Sequence, residues 1–344
     1  MGWDNGSSPG TLAVMHMHPH RLCTAPMMDW SDRHCRYFFR QLSPRALVYT
    51  EMITTGALIH GDVARHLEFN YAEHRIALQL GGSEPAELAL SAKLGQAWGY
   101  DEINLNCGCP SERVQRGAFG ACLMAEPQLV ADCVKAIQDA VSLPVTIKHR
   151  LGIDSVEDFD FVQRFVETLA EAGCHTFIVH ARNAVLKGLS PKDNRQIPPL
   201  KYDYVYNLKA GFPECEFVIN GGIATASEAL GQLDKVDGVM LGRAAYHDPY
   251  LVAVLDSVIF GSGHTVSRRE VAERMWRYAG QEVLRGTSLR AITRHILGLY
   301  HGRPRAKKWR QMLSDSTRLA DNNPDLILQA LEFVEHGSPL TAVA

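Results

Sequence analysis

Apolar runs rich in β-branched residues recur along the chain at 22–28, 46–52, 76–81, 102–106, 145–148, 176–180, 217–220 and 238–241. Each is closed by polar, Gly or Pro residues, as strands are at turns. Between them lie stretches with apolar positions at helical spacing, such as 84–98, 127–141, 156–172 and 227–233, so strand and helix alternate as a parallel sheet requires. Eight such units within roughly 225 residues match a closed (β/α)8 TIM barrel, an α/β fold, better than an open doubly wound sheet. Two helix starts support the register: Thr225-Ala226-Ser227-Glu228 and Ser155-Val156-Glu157-Asp158 both have capping-box spacing. From about Tyr246 the alternation stops, and 267–284, 289–300, 305–313 and 324–335 read as amphipathic helices. The pattern divides the chain into a disordered leader over 1–20, a catalytic barrel over 21–250 and a small all-helical C-terminal domain over 264–340. Gly261-Ser262-Gly263 falls in the linker.

Polar and cationic residues crowd the C-terminal ends of the strand-like runs. They are Pro26-Met27-Met28-Asp29, Gln79-Leu80-Gly81-Gly82, Asn104-Leu105-Asn106-Cys107-Gly108-Cys109-Pro110, Lys148-His149-Arg150, His180-Ala181-Arg182, Asn220-Gly221-Gly222 and Gly242-Arg243. In an α/β protein that edge carries the ligand crevice, and solvated strand ends account for one or two such clusters but not for all seven. Cys109 follows a strand and precedes Pro110 and a glycine-spaced loop, which puts its thiol at the rim; a cysteine is also a common buried hydrophobe. Asn220-Gly221-Gly222 and Gly242-Arg243 offer backbone N–H groups and a cation to a phosphate after strands seven and eight. Lys148 and His180 then face the ring of the same ligand, Lys148 placing positive charge where an anionic reduced flavin needs it.

The chain has 344 residues, 46% of them hydrophobic, enough for one large core and a small second domain. No apolar run approaches the ~20 residues that span a bilayer, and segment 1–20 lacks the order of a signal peptide. Gly6 stands where a myristoylation signal needs Ser or Thr. A cytoplasmic protein with no membrane attachment and no obligate protein partner is expected. The eight cysteines are scattered, as reduced thiols are, and no second close pair joins Cys107 and Cys109 in a zinc site. His16, His18 and His20 read as part of a tail, so no metal is expected. The formal charge is −3, yet from Arg285 to Arg310 eight basic residues occur without an Asp or Glu. That run, interleaved with His295, Tyr300, His301 and Trp309, suits a nucleic-acid backbone; a solvated helix face has the same composition.

Taken in order, these motifs resemble those of the tRNA-dihydrouridine synthases. Asp29-Trp30-Ser31-Asp32-Arg33-His34-Cys35-Arg36, Tyr49-Thr50-Glu51-Met52-Ile53-Thr54-Thr55-Gly56 and Gly188-Leu189-Ser190-Pro191-Lys192-Asp193-Asn194-Arg195-Gln196-Ile197-Pro198-Pro199 are similar to the A branch of that family. The resemblance implies an FMN-dependent oxidoreductase that uses NADPH to reduce uridines of the tRNA D-loop, U20 and U20a in this branch. Carried over by motif, Pro26, Met27, Met28, Gln79, Lys148, His180, Asn220, Gly221, Gly222, Gly242 and Arg243 hold FMN. Cys109 is the acid that protonates uracil C5 after hydride reaches C6, and Asn106, Lys148 and Arg150 hold the extruded uracil. Lys192 and Arg195 at the rim, and Lys307 and Arg310 on one helix face, contact the rest of the tRNA. Cys107 and His149 depart from the pattern at positions where variation is expected. The rivals are an FMN-dependent reductase of a free metabolite, similar to dihydroorotate dehydrogenase, and a tRNA-binding module without catalysis.

Overall fold

The computed structural model describes residues 19–111, 114–115, 117–156 and 158–337. Eight parallel strands form its centre: β1 (Leu22–Thr24), β2 (Leu47–Tyr49), β3 (Ile76–Gly81), β4 (Glu102–Cys107), β5 (Val145–His149), β6 (Thr176–His180), β7 (Glu216–Asn220) and β8 (Gly238–Leu241). Each pairs with the next, and β8 pairs back onto β1 through Cys23↔Met240. With β2 on β3 through Val48↔Ile76, no edge of these eight strands is left open. A two-residue strand, Ile53–Thr54, adds to the end of β3.

The strand alternation is inverted relative to a half-exposed sheet. In β4, Ile103, Leu105 and Cys107 point outward to the helices, while Glu102, Asn104 and Asn106 point into the lumen. β5 repeats this, with Val145 and Ile147 outward and Thr146 and Lys148 inward. The main apolar core is therefore the shell between strands and helices, and a smaller cluster of Cys23, Leu47, Tyr49, Ala77, Ile178, Val218 and Met240 fills part of the lumen.

The surrounding helices include α1 (Arg33–Leu42), α2 (Pro85–Trp98), α3 (Pro127–Ala140), α4 (Phe159–Glu171), α5 (Tyr202–Gly211), α6 (Ala226–Leu233) and, after the short Arg243–His247 helix, α7 (Tyr250–Ile259). Thr225 closes a capping box with Glu228 at the start of α6, as the spacing predicts. The second predicted box is not formed: Asp158, the expected N3 residue, is itself the N-cap of α4. An Asp so placed satisfies a first-turn N–H alone. α7 belongs to the barrel wall, where Asp256 holds Arg45 at 2.6 Å and Ser43 at 2.5 Å, so the wall runs past residue 250.

The expected tail over 1–20 must be corrected at its end. Residues 1–18 lie outside the described residues, but His20 is buried beneath the lumen, with Nε2 2.6 Å from Glu102 and Nδ1 2.7 Å from Glu216. Tyr49 and Thr146 donate to the other Glu102 oxygen at 3.0 and 2.5 Å. Two carboxylates at the foot of the lumen recruit a cation from the adjoining chain, because neither is stable there unpaired.

The C-terminal helices are α8 (Arg268–Leu284), α9 (Leu289–Ile296), α10 (Ala306–Ser314) and α11 (Leu326–His336). They meet the barrel along α1: Arg33 reaches Glu282 at 2.6 Å, His34 bonds the Tyr278 hydroxyl at 2.7 Å and Tyr37 stacks on the Tyr278 ring. Asp32 caps α1 through the amides of His34 and Cys35 and accepts from Arg294 at 2.9 Å and His295 at 3.0 Å.

Candidate active site

Strand register brings the rim residues together. Asn106 sits beside Lys148 on β4 and β5, Cys107 beside His149, and His180 beside Asn220 on β6 and β7. Alternation decides which of them are available. Cys107 and His149 point outward, Cys107 wholly buried in the shell and His149 packed against Phe165 and Phe177. Burial pushes the Cys107 thiol well up and lowers the His149 imidazole to about 4, so both stay neutral and face away from the rim.

Cys109 lies beyond the strand end and is partly exposed. Its amide and that of Gly108 donate to Asn106 Oδ1 at 3.0 and 3.1 Å, Ala121 donates to its carbonyl at 2.9 Å, and its thiol is 3.6 Å from the Ser111 hydroxyl. Asn106 in turn donates to Gln79 Oε1 at 2.8 Å. Its oxygen is thus spent on the Cys109 loop, leaving an N–H as its free polar group.

Arg150, expected to hold a uracil, also braces the loops around the site. It is buried, with Nε donating to the Gly108 carbonyl at 3.0 Å and Nη1 to those of Asn183 and Asn194 at 3.0 and 2.8 Å. Three of its five N–H groups thus tie the cysteine loop to the loop after β6, and none of these bonds uses Nη2. Lys148 is half-buried and donates to Asn220 Oδ1 at 3.2 Å. Burial, reinforced by nearby Arg150, brings its ammonium down to about 7. Burial and the same cations keep His180 neutral.

At the corner expected to take a phosphate, Gly221 and Gly222 have φ of 112° and 75°, a region that favours glycine. A Cβ on Gly221 would lie 2.7 Å from the His180 ring, and one on Gly222 2.5 Å from Leu200. Arg243 follows Gly242 and donates to the Arg195 carbonyl at 3.0 Å, while Arg182 donates to the carbonyls of Gln196 and Pro198. Burial and proximity to Arg243 both lower the Arg195 guanidinium. Arg182, the addition that sequence reasoning left out, completes a cationic corner, and its signal was the same His180-Ala181-Arg182 strand end.

On the β1 side, Met27 lines the luminal cluster and Met28 is 57% exposed beyond Pro26. Asp29, at φ 64°, donates its amide to Glu51. Trp30 stacks on Tyr246 with centroids 4.2 Å apart.

The outer basic residues separate into two groups. Lys192 and Arg195 are exposed on the loop after β6, and Lys307 and Arg310 are exposed together on α10. Arg285 instead pairs with Glu68 and Glu282, Arg294 with Asp32, and Arg305 with the Val334 and Glu335 carbonyls. Of the interleaved rings, His295, Tyr300 and Trp309 are buried. The run expected to act as one cationic, aromatic surface is thus partly internal structure. Among the described residues no His/Cys/Asp/Glu cluster could hold a metal ion, and no helix is long and apolar enough to cross a membrane.

A family model described as "Dihydrouridine synthase (Dus)" matches residues 23–335. The chain is 54% identical to the tRNA-dihydrouridine(20/20a) synthase of Pseudomonas syringae pv. tomato over 92% of its own length and 94% of that protein. It is 55% identical to the protein of the same name from Synechocystis sp., over 93% and 96%. With that of Escherichia coli K12 it shares 53% identity, over 91% of each chain. Among solved structures, a 2-naphthoyl-CoA reductase complex aligns with a TM-score of 0.53 at 12% identity, over 70% of this chain and 50% of that one, a likeness of fold alone.

Proposed function

The chain belongs to the dihydrouridine synthase family, and on that premise we propose that it reduces the C5–C6 double bond of D-loop uridines in tRNA, at positions 20 and 20a, with FMN as bound cofactor and NADPH as donor. The supporting observation is a partly exposed Cys109 held above a rim whose lumen carries Lys148, His180 and Asn220 and whose corner carries two positive-φ glycines among three arginines.

The donor set fits a flavin mononucleotide. Gly221, Gly222, Gly242 and Arg243, joined by Arg182, would take the phosphate; Pro26, Met27, Met28, Gln79, Lys148, His180 and Asn220 would surround the ring. When bound and reduced, that group supplies the hydride for uracil C6. Cys109 holds a proton at Sγ for C5, a role open to a partly exposed thiol on a loop. Asn106 offers its remaining N–H to a carbonyl that gains negative charge, and Lys148 stands beside it as a further N–H donor. Arg150 holds the uracil with them and fixes the loops that shape its site. Lys192 and Arg195 set which uridine enters, while Lys307 and Arg310 hold backbone phosphates farther out.

The test is the visible spectrum of the purified protein followed by single-turnover reaction with tRNA lacking dihydrouridine, mapping the modified positions. Flavin bands and product at 20 and 20a are expected. A flavoprotein that leaves tRNA unchanged but reduces a small enone would transfer the reading to a metabolite reductase.

A further inference from the structure

The lumen contains an unbroken hydrogen-bonded column from its foot to the cysteine loop. Thr146 donates to Glu102 Oε1 at 2.5 Å, Asn104 Nδ2 to Thr146 Oγ1 at 2.8 Å and Gln79 Nε2 to Asn104 Oδ1 at 2.7 Å. Asn106 Nδ2 then donates to Gln79 Oε1 at 2.8 Å, and the Gly108 and Cys109 amides donate to Asn106 Oδ1. A carboxylate can only accept and a backbone N–H can only donate. With those two ends fixed, turning any one of the three carboxamides over would set donor against donor and acceptor against acceptor. Every rung below Cys109 from Asn106 down to Thr146 is at most 8% exposed, so no water outside the column relieves such a mismatch.

We propose that Glu102, Thr146 and Asn104 are positioning residues that fix the carboxamide orientation of Gln79 and Asn106 and thereby the place of the Cys109 thiol. The assignment rests on the role given above to Cys109, but the column itself is independent of that role. Its effect at the rim is that Asn106 presents an N–H and keeps its oxygen on the loop. Breaking the column at Thr146 leaves Asn104 without an acceptor and lets the amides above it turn.

Thr146→Val removes the hydroxyl at nearly constant volume, while Thr146→Ser retains it. In Thr146→Val, turnover on saturating tRNA should fall about tenfold, the upper end for one lost hydrogen bond, with KM for tRNA unchanged. Thr146→Ser should stay within about twofold of wild type. Iodoacetamide labelling of Cys109, read by peptide mass spectrometry against Cys122 as internal reference, should quicken at least about threefold in Thr146→Val, because the loop loses its fixed acceptor. If Thr146→Val does not accumulate as folded protein, Asn104→Ser, too short to join Thr146 to Gln79, should give the same labelling change. Equal losses in the Val and Ser variants, or an unchanged labelling ratio in a folded variant with a broken column, would overturn the proposal. If wild type forms no dihydrouridine while the labelling ratio still shifts, the functional reading fails and the column stands.

Discussion

Two cysteines separated by one glycine have opposite fates, because a strand's side chains alternate and the loop after it does not. Cys107 is sealed in the helix-facing shell and Cys109 is on the loop. Cys109→Ala should lower dihydrouridine formation at least ~100-fold, the low end for a positioned acid, with flavin retained and reducible. Cys107→Ala should leave turnover near wild type. Rapid-quench measurement on unmodified tRNA, with stopped-flow flavin reduction as control, separates the two. His20 makes a different prediction. Burial alone would lower its pKa, but Glu102 and then Glu216 outweigh it and raise the imidazole to about 10. A folded pKa above the unfolded 6.5 means that the stabilisation is complete below pH 6.5 and is lost as pH rises through about 10. The melting-temperature advantage of wild type over His20→Gln should therefore be widest near pH 6 and narrow toward pH 10; a constant gap would assign His20 a packing role only. The residue's type was plain in the sequence, but its value was not, since both partners lie more than 80 positions away.

Among the elements, α1 does most to join the two parts of the molecule. Its N-cap carboxylate is shared: two bonds go to its own first turn and two come from the C-terminal helices. His295, after the opposing effect of burial, holds the Asp32 carboxyl well below the usual range, so its contribution is present above that range and lost as pH falls through it. Asn caps a helix as well as Asp, so Asp32→Asn isolates the junction. At pH 7 it should cost about 1 kcal/mol in urea unfolding, since Arg294 is partly exposed, and Asp32→Ala about 2 kcal/mol because the cap goes as well. Equal costs would mean that the junction adds nothing. The elements themselves were legible: β3, β6 and α8 lie within a residue of their periodic runs. β1 was overextended because apolar Met27 and Met28 continue its pattern after Thr24, where Pro26 has no N–H for a ladder. β4 read clearly as a strand, whereas the direction of its polar face did not. Alternation gives two faces without saying that the lumen takes the polar one.

At the scale of the whole molecule, the charge run from Arg285 to Arg310 divides by partner. Its acidic counterparts lie outside the window, Glu68 being 217 positions from Arg285, so a count of local charges overstated the free surface. Lys307→Ala with Arg310→Ala should raise KM for tRNA several-fold at low salt, and the difference should shrink as salt rises because about two counterions fewer are released. Arg285→Ala should instead lower the melting temperature and leave the salt slope alone. KM titrations at several salt concentrations decide between them; an unchanged slope in the double variant would remove α10 from tRNA binding. The sharing of α1 also determines what can be recombined. A graft of 268–337 alone onto another barrel would carry Tyr278, Glu282, Arg294 and His295 away from the side chains they meet. The smallest transplantable piece includes 27–42, and with it a stretch of the rim, so exchange of the outer domain between relatives brings part of the pocket along with it.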